Sequence, residues 1–347
     1  MSITIKHIAE LTGVSHTTVS RALNDDPRIS AETKRKIREA AEQHHYVPNI
    51  NARGFSRGKT ATLGVLVNYL GDPFICEILQ GIEDVAQQHD YIIMFGDSRE
   101  DSQREARYLL KYMQHRVDGL IVYPALDRGF DDNIRQLLNY KIPFVLIDKY
   151  SEKYTTDFVV CDDVYGGYTA AQHLINLGHR SIACITGPSC TPLNNRRKGY
   201  EQALQEAGIP LRDELVVQGD YDTLNDEYDC TGPALDLLQR SDPPTAFFLS
   251  TDGFFPRLYH ALRHAGYTIP DQIAIVGFGD VHNISFMDVP LTTMAYPKRQ
   301  VGTAAAQLLF EKINGARPLN DSKQILKRPE LIIRSTCGAA KQSTFKR

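Results

Sequence analysis

From Thr62 onward the chain alternates short β-rich runs with helical stretches, and it does so in two series. The first runs through Thr62–Val67, Phe74–His89, Tyr91–Phe95, Gln103–His115 and Gly119–Val122. The second begins near Phe158 and continues through Tyr165–Leu177, Ser181–Thr186, Asn194–Ala207, Ala246–Leu249, Asp252–His264 and Ile273–Val276. Strand–helix alternation predicts a parallel, doubly wound sheet. Two such series predict two α/β halves with a cleft between them, and in open α/β sheets ligands sit beyond the carboxyl ends of the strands. The loops expected there carry Asp72-Pro73-Phe74, Asp97-Ser98-Arg99, Asp148-Lys149, Asp162-Asp163, Asp220-Tyr221 and Asp280.

The first sixty residues follow a different pattern. Thr4 is placed to cap a helix whose Ile5, Ile8, Ala9 and Leu11 form an apolar stripe, and Gly13 is a natural terminator because it tolerates positive φ. Ser15 then caps a second helix, His16 to Leu23, with Val19, Ala22 and Leu23 facing inward. Ser30 caps a third, which runs to about His45 with Ile37, Ala40 and Ala41 inward. Two short helices joined by T-G-V-S make a helix-turn-helix. The second helix exposes His16, Thr17, Thr18, Ser20 and Arg21, the donors and acceptors that read base edges and phosphates. Arg21 suits a bidentate guanine contact or is a solvated surface arginine. A short helix from Ile50 to Phe55, capped by Asn49, is marginal alone in water and is expected to order only against a partner.

Charge divides along the same line. The whole chain of 347 residues carries −3, but residues 1–60 hold ten Lys/Arg against six Asp/Glu, a balance of +4, which leaves −7 for the rest. A small basic head on a large acidic body predicts that only the head approaches a polyanion.

Several classes are disfavoured. Cys76, Cys161, Cys184, Cys190, Cys230 and Cys337 include no CxxC pair, so neither a zinc site nor a disulfide framework is expected, and reduced thiols point to a cytosol. The N-terminal MSITIKHIAELTGV has no apolar signal region, and no run reaches the ~18–20 apolar residues of a membrane span. The string before Thr60 misses a phosphate loop because Arg53 stands where glycine is needed, and Gly277-Phe278-Gly279 ends in His282 rather than the third glycine of GxGxxG. Loop carboxylates can do acid–base work, but they also accept hydrogen bonds from sugar hydroxyls or cap helices, the role expected of Asp72 and Asp163. No enzyme, cofactor or metal is expected.

TIKHIAELTGVSHTTVSRALND, Ser30 and YVPNINARGF together resemble the head of the LacI/GalR family of bacterial transcription regulators. GVLVNYLGDPF, HRVDGLIVYP, IPFVLIDK, VCDDVYGGYTAAQHLINLGHRSIACITGP, RRKGYEQAL, IPDQIAIVGFGD, PLTTMAYP and PELIIRST are similar to successive blocks of that family, over residues 3–336. The resemblance implies a helix-turn-helix DNA-binding domain at 1–48, a hinge helix and linker at 49–60, a bilobed effector-binding and dimerisation domain at 61–337 and a tail at 338–347. The expected fold class is thus α/β, a periplasmic-binding-protein-like core of two doubly wound parallel-sheet subdomains behind a helical head. The function it implies is a cytoplasmic, sequence-specific transcription regulator, a repressor, whose affinity for a pseudo-palindromic operator is set by a small effector, a sugar or sugar derivative. A corepressor-type regulator and a solute-binding transport protein are the alternatives.

Candidate DNA-binding residues are Thr4, Ser15, His16, Thr17, Thr18, Ser20, Arg21 and Asn24 in the head, with Asn49, Arg53 and Phe55 in the hinge. The head helix beginning at His16 would enter the major groove and paired hinge helices the minor groove, with Phe55 as wedge where the family has leucine. Candidate effector-binding residues are Phe74, Arg99, Asp148, Lys149, Arg196, Tyr221, Asp252, Asp280 and Tyr296. Arg196 matches the ligand arginine of the RxxGYxxAL block; Phe74 and Tyr221 match stacking positions, although Phe74 also suits a dimer interface. Two departures stand out: Thr251-Asp252 replaces an Asn-Asp pair, and Gly279 replaces the first acid of a GYDD-type loop. Lys149 either places a cation in the cleft, favouring an anionic effector, or is solvated. A homodimer is expected, through Ile75, Ile78, Leu79 and Ile82 with help from Phe254, Phe255 and Tyr259. The tail lacks the heptads of a tetramerising coiled coil.

Overall fold

The computed structural model describes residues 3–47, 59–126, 129–222 and 227–339. The chain separates into two compact units, residues 1–61 and 62–347.

The first unit holds α1 (Ile5–Thr12), α2 (His16–Leu23) and α3 (Ala31–Gln43). Their boundaries follow from capping. The Thr4 backbone N–H donates to His7 Nδ1 at 3.2 Å, and its hydroxyl lies 3.0 Å from the same nitrogen. Gly13 closes α1 at φ 70°, Ser15 Oγ accepts the Thr18 N–H at 3.1 Å, and Ser30 Oγ accepts the Thr33 N–H at 3.2 Å. Ile8, Ala9, Val19, Ala22 and Ile37 form a small core. Leu11, expected on the inner stripe, is 53% exposed. In that last turn the buried position goes instead to Thr12, whose hydroxyl satisfies itself on the Ile8 carbonyl at 2.7 Å.

The second unit begins with β1 (Thr62–Val67), α4 (Pro73–Gln88), β2 (Ile92–Asp97), α5 (Ser102–Gln114), β3 (Gly119–Val122), α6 (Phe130–Tyr140), β4 (Phe144–Ile147) and β5 (Phe158–Cys161). It continues with α7 (Asp163–Asn176), β6 (Ile182–Thr186), α8 (Thr191–Glu206), β7 (Val216–Gln218), β8 (Asp220–Asp222), β9 (Glu227–Asp229), α9 (Thr231–Leu238), β10 (Ala246–Leu249), α10 (Phe255–His264), β11 (Ala274–Gly279) and β12 (Thr292–Ala295). The last elements are α11 (Lys298–Ile313), β13 (Gln324–Lys327) and β14 (Glu330–Ile332). One six-stranded sheet has the order β13-β5-β4-β3-β1-β2 and is parallel throughout. The other runs β14-β12-β11-β10-β6-β7, with β14 alone antiparallel. The two lobes exchange chain three times: after β5, after β12 and between β13 and β14. The alternation foretold both sheets; the return of α11 and β13 to the first lobe is a long-range packing outcome that periodicity does not encode.

Within each lobe one helix pair touches backbone to backbone. On α4 and α11, a Cβ on Gly81 would run into the Arg299 carbonyl and one on Gly302 into the Ile78 carbonyl; on α7 and α8, a Cβ on Gly167 would strike the Arg196 carbonyl and one on Gly199 the Val164 carbonyl. This packing corrects the expected dimer surface. Ile75, Ile78 and Ile82 are fully buried in the chain's own main core, and Phe254, Phe255 and Tyr259 lie in a second core under β10. The three isoleucines are buried because the helix is covered by both the sheet and α11, whereas Leu79 is only partly buried. The tail beyond residue 339 lies outside the described residues.

Overpacking a backbone contact costs ~1–3 kcal/mol or more. Gly167→Ala and Gly199→Ala should therefore each lower the melting temperature measured by calorimetry. Gly232→Ala in α9, where a Cβ meets nothing within 4 Å, should leave it unchanged or raise it.

Candidate functional site

At 100° per residue, His16, Ser20, Asn24, Thr17 and Arg21 fall within an arc of about 140° on α2, opposite Val19 and Ala22. His16, Thr17 and Arg21 are exposed, while Ser20 and Asn24 are half-buried, with Asn24 Nδ2 donating to the Ser20 carbonyl at 2.8 Å. Thr18 lies off this arc with its hydroxyl 2.9 Å from Ser15 Oγ, so both act as a cap. Arg21 approaches Asp26 only to 3.9 Å. Asp26 is engaged by Arg28 through two bonds of 2.9 and 2.6 Å, which hold its carboxyl well below the usual range. The Arg21 fork is thus presented to solvent with its acidic neighbour already committed. Thr4 is exposed beside the α1 N-terminus. Asn49, Arg53 and Phe55 lie outside the described residues.

In the second unit a cavity of about 380 Å³ opens between the carboxyl ends of the two sheets, within the size range of small-molecule sites. Five of the predicted residues line it: Phe74, Asp148, Lys149, Arg196 and Tyr221. Phe74 stands at the start of α4, whose N-terminus is capped by Asp72 Oδ1 accepting the Phe74 N–H at 2.8 Å. Arg196, on α8, donates from Nε to Asp163 at 2.7 Å and from Nη1 to the Ser250 carbonyl at 2.8 Å, and its guanidinium lies 3.8 Å from the centre of the Phe278 ring. Asp163 is therefore not the helix cap expected of it; Asp162 caps α7 by accepting the Tyr165 N–H. Burial pushes the Asp163 carboxyl up to about 7, against the opposing pull of Arg196. Asp148 accepts the Tyr123 hydroxyl at 2.5 Å. Tyr221 stacks on Tyr228 across the β8–β9 hairpin, centroids 4.4 Å apart.

Four predicted residues lie outside the cavity lining. Arg99 is a half-exposed side chain beside Asp97. Asp252 is fully buried, accepting the Thr293 hydroxyl at 2.8 Å and the Val281 N–H at 3.3 Å, and burial raises its carboxyl to about 6. Asp280 pairs with Arg334 at 2.6 Å, while its carbonyl accepts from Lys298, which also reaches Glu77 at 3.1 Å on the other lobe. Asp280 thus belongs to a tie between the lobes. Tyr296 packs edge-on against Phe74 just after β12, where the chain changes lobe, and its buried hydroxyl has no partner among the described residues. Sequence reading missed Asn68, Glu100, Tyr123, Tyr228 and Phe278 in the lining. Asn68 directly follows β1 and Glu100 lies in the loop after β2, so the rule placing ligands at carboxyl strand ends points to both; Tyr228, inside β9, carries no such local signal.

Residues 4–49 match the family described as bacterial regulatory proteins, lacI family, and residues 171–337 match a periplasmic binding protein-like domain. The chain is 32% identical over 336 residues to the HTH-type transcriptional regulator DegA of Bacillus subtilis (strain 168), covering 96% of this chain and 98% of that protein. The structure of the transcriptional regulator CelR in complex with cellobiose superposes with a TM-score of 0.69 at 27% identity, over 96% of this chain and 99% of CelR. The lac repressor dimer bound to operator and the anti-inducer ONPF shares the fold at a TM-score of 0.83 and 23% identity, over 97% and 99% of the two chains. With a helix-turn-helix head, a two-lobed α/β core and a DegA likeness running nearly end to end, the chain belongs to the LacI family of bacterial regulatory proteins and is a DNA-binding transcription regulator.

Proposed function

We propose that this regulator is a cytoplasmic homodimeric repressor whose operator affinity is set by a small carbohydrate-type effector held in the interlobe cleft. The observation that carries the reading is the polar arc of α2, with Arg21 held open, in the same chain as a lined cleft around Arg196. His16, Thr17, Ser20 and Arg21 read base edges, Thr4 and Ser15 lie beside the backbone, and Asn49, Arg53 and Phe55 of the hinge follow the minor groove. In the cleft, Arg196 meets vicinal oxygens while Phe74 and Tyr221 supply apolar faces. That the similar regulator CelR forms a complex with cellobiose supports a sugar as the effector class. Binding without turnover is supported by the commitment of two acids, Asp148 to the Tyr123 hydroxyl and Asp163 to Arg196. No helix among the described residues is long and apolar enough to cross a membrane. The effector acts by changing the relation of the two lobes, and through it the preference for DNA.

In fluorescence-anisotropy titrations with an operator selected in vitro, Arg21→Ala should lose ~10- to 100-fold in affinity, the worth of one bidentate base contact of ~1–3 kcal/mol. Its affinity for unrelated DNA should change far less. Wild-type operator affinity should fall by ~10³-fold or more between ~50 and ~200 mM salt if six or more phosphates are contacted. Arg196→Lys retains the charge beside Asp163 but not the planar fork. It should keep ligand-free operator affinity and lose at least ~10-fold in response to any sugar that shifts wild-type operator binding. An unchanged response would remove Arg196 from the effector site.

A further inference from the structure

The cationic centre nearest the first lobe's strand ends is closed. Lys149 has three N–H donors, and they go to Glu100 Oε1 and Oε2, each at 3.1 Å, and to the Pro124 carbonyl at 3.0 Å. The ammonium also lies 4.9 Å from the centre of the Tyr123 ring. Both side chains of the pair are about 95% buried, 6% and 4% exposed. This rules out the solvated lysine, and it equally withdraws the free cation that an anionic effector would need.

Glu100 is held in turn. Its backbone takes a left-handed φ of 57° and donates to the Asn68 carbonyl at 3.2 Å, while its Oε1 accepts from Asn68 Nδ2 at 2.7 Å. That bond fixes the amide's orientation, because a carboxylate accepts only. Asn68 Oδ1 is left buried, without a partner among the described residues, on a side chain that lines the cavity. A buried acceptor in that state is costly unless a ligand donates to it. Around the cavity three carboxylates, Asp72, Glu100 and Asp148, stand against two cations, Lys149 and Arg196. Arg196 is itself bonded to Asp163 behind it. An incoming anion would meet a net negative wall and would have to break a buried ion pair to find a counter-charge, which is strongly unfavourable.

We infer that Glu100 sets the charge class of the effector: by closing Lys149 it makes the cleft accept a neutral, hydroxyl-bearing molecule that donates to Asn68 Oδ1, and exclude the phosphorylated or carboxylated counterpart. The stacked Tyr221 and Tyr228 rings offer that molecule a flat apolar face. This rests on the assignment of the cleft as the effector site, and the test separates the two.

Inorganic phosphate is titrated by calorimetry, at constant ionic strength, into the full chain as wild type, Glu100→Gln and Glu100→Gln/Lys149→Met. All three share the same head, so differences report the cleft. Wild type and the double variant should respond alike, and Glu100→Gln should bind phosphate at least ~10-fold more tightly than either, as expected when a buried cation loses its partner. A phosphate response in wild type that disappears in the double variant overturns the proposal without needing the single variant to fold; so does a folded Glu100→Gln chain that gains nothing. In a second arm, D-glucose and D-ribose are compared with their 6- and 5-phosphates, and cellobiose is added. Wild type should prefer the neutral member of any pair it binds, and Asn68→Ala should weaken that binding by ~10-fold. Preference for an ester overturns the charge selection. Binding of a neutral sugar that Arg196→Lys and Asn68→Ala both leave intact overturns the assignment of the cleft itself.

Discussion

The close contact of α7 and α8 is the constraint on which the effector-facing half of the molecule depends. Gly167 and Gly199 let the two helices meet at backbone distance, and the atom that a Cβ on Gly167 would strike is the carbonyl of Arg196. Asp163 opens α7 and Arg196 lies in the first half of α8, so the same approach that packs the helices brings this pair to 2.7 Å beneath the cleft. The bond then orients the guanidinium over Phe278 and leaves it nowhere to fold away. Burial is unfavourable for both charges; it persists because each satisfies the other and the Ser250 carbonyl takes a further donor. Geometry made by two missing side chains is thereby converted into a fixed charge at the edge of the cavity.

The first lobe repeats the device with Gly81 and Gly302 between α4 and α11. Its consequence lies at the N-terminus of α11. Lys298 there touches Glu77 of its own lobe and the Asp280 carbonyl of the other, and Asp280 is anchored to Arg334. This polar tie and the three chain crossings place the two lobes in one continuous network, with Tyr296 and Phe74 packed edge-on at one of the crossings. A ligand touching Phe74 therefore presses on a residue already in contact with a crossing strand. That is the kind of shared element through which two sites can bias one equilibrium.

Much of this is readable in the residues themselves. Thr4, Ser15, Gly13 and Ser30 fixed the head because caps act over three or four residues, within reach of local sequence. The βα alternation announced both sheets for the same reason. What escaped was pairing at long range. Lys149 and Glu100 are far apart in sequence, and nothing near either indicates that they neutralise each other; Lys149 therefore read as an open cation. Asp280 reads as a ligand acid because it follows a strand end and Asp252 because it matches the second residue of the family's Asn-Asp pair, yet their partners come from far along the chain: Arg334 follows β14 and Thr293 lies in β12. The α4 isoleucines read as a dimer face because their excess over one stripe was assigned to a second chain, when α11 of the same chain covers them.

Exposed and buried charge serve opposite purposes in the two units. On α2 the polar side chains fan across an open arc, and Arg21 stays available because Arg28 has taken Asp26. A surface that must meet a polyanion gains from donors left uncommitted, since water satisfies them until phosphate or a base edge replaces it. The cleft is arranged the other way. Lys149 and Arg196 are each committed to a carboxylate, and among the described residues of the lining a buried side-chain group left without a partner is the neutral amide oxygen of Asn68. A pocket with closed charges discriminates by shape and by single hydrogen bonds, because any added charge must be desolvated without compensation. The opposite net charges of head and body, +4 and −7, therefore express a difference in local pairing as much as in composition: donors held open where a polyanion is read, and charges held shut where a small molecule is selected.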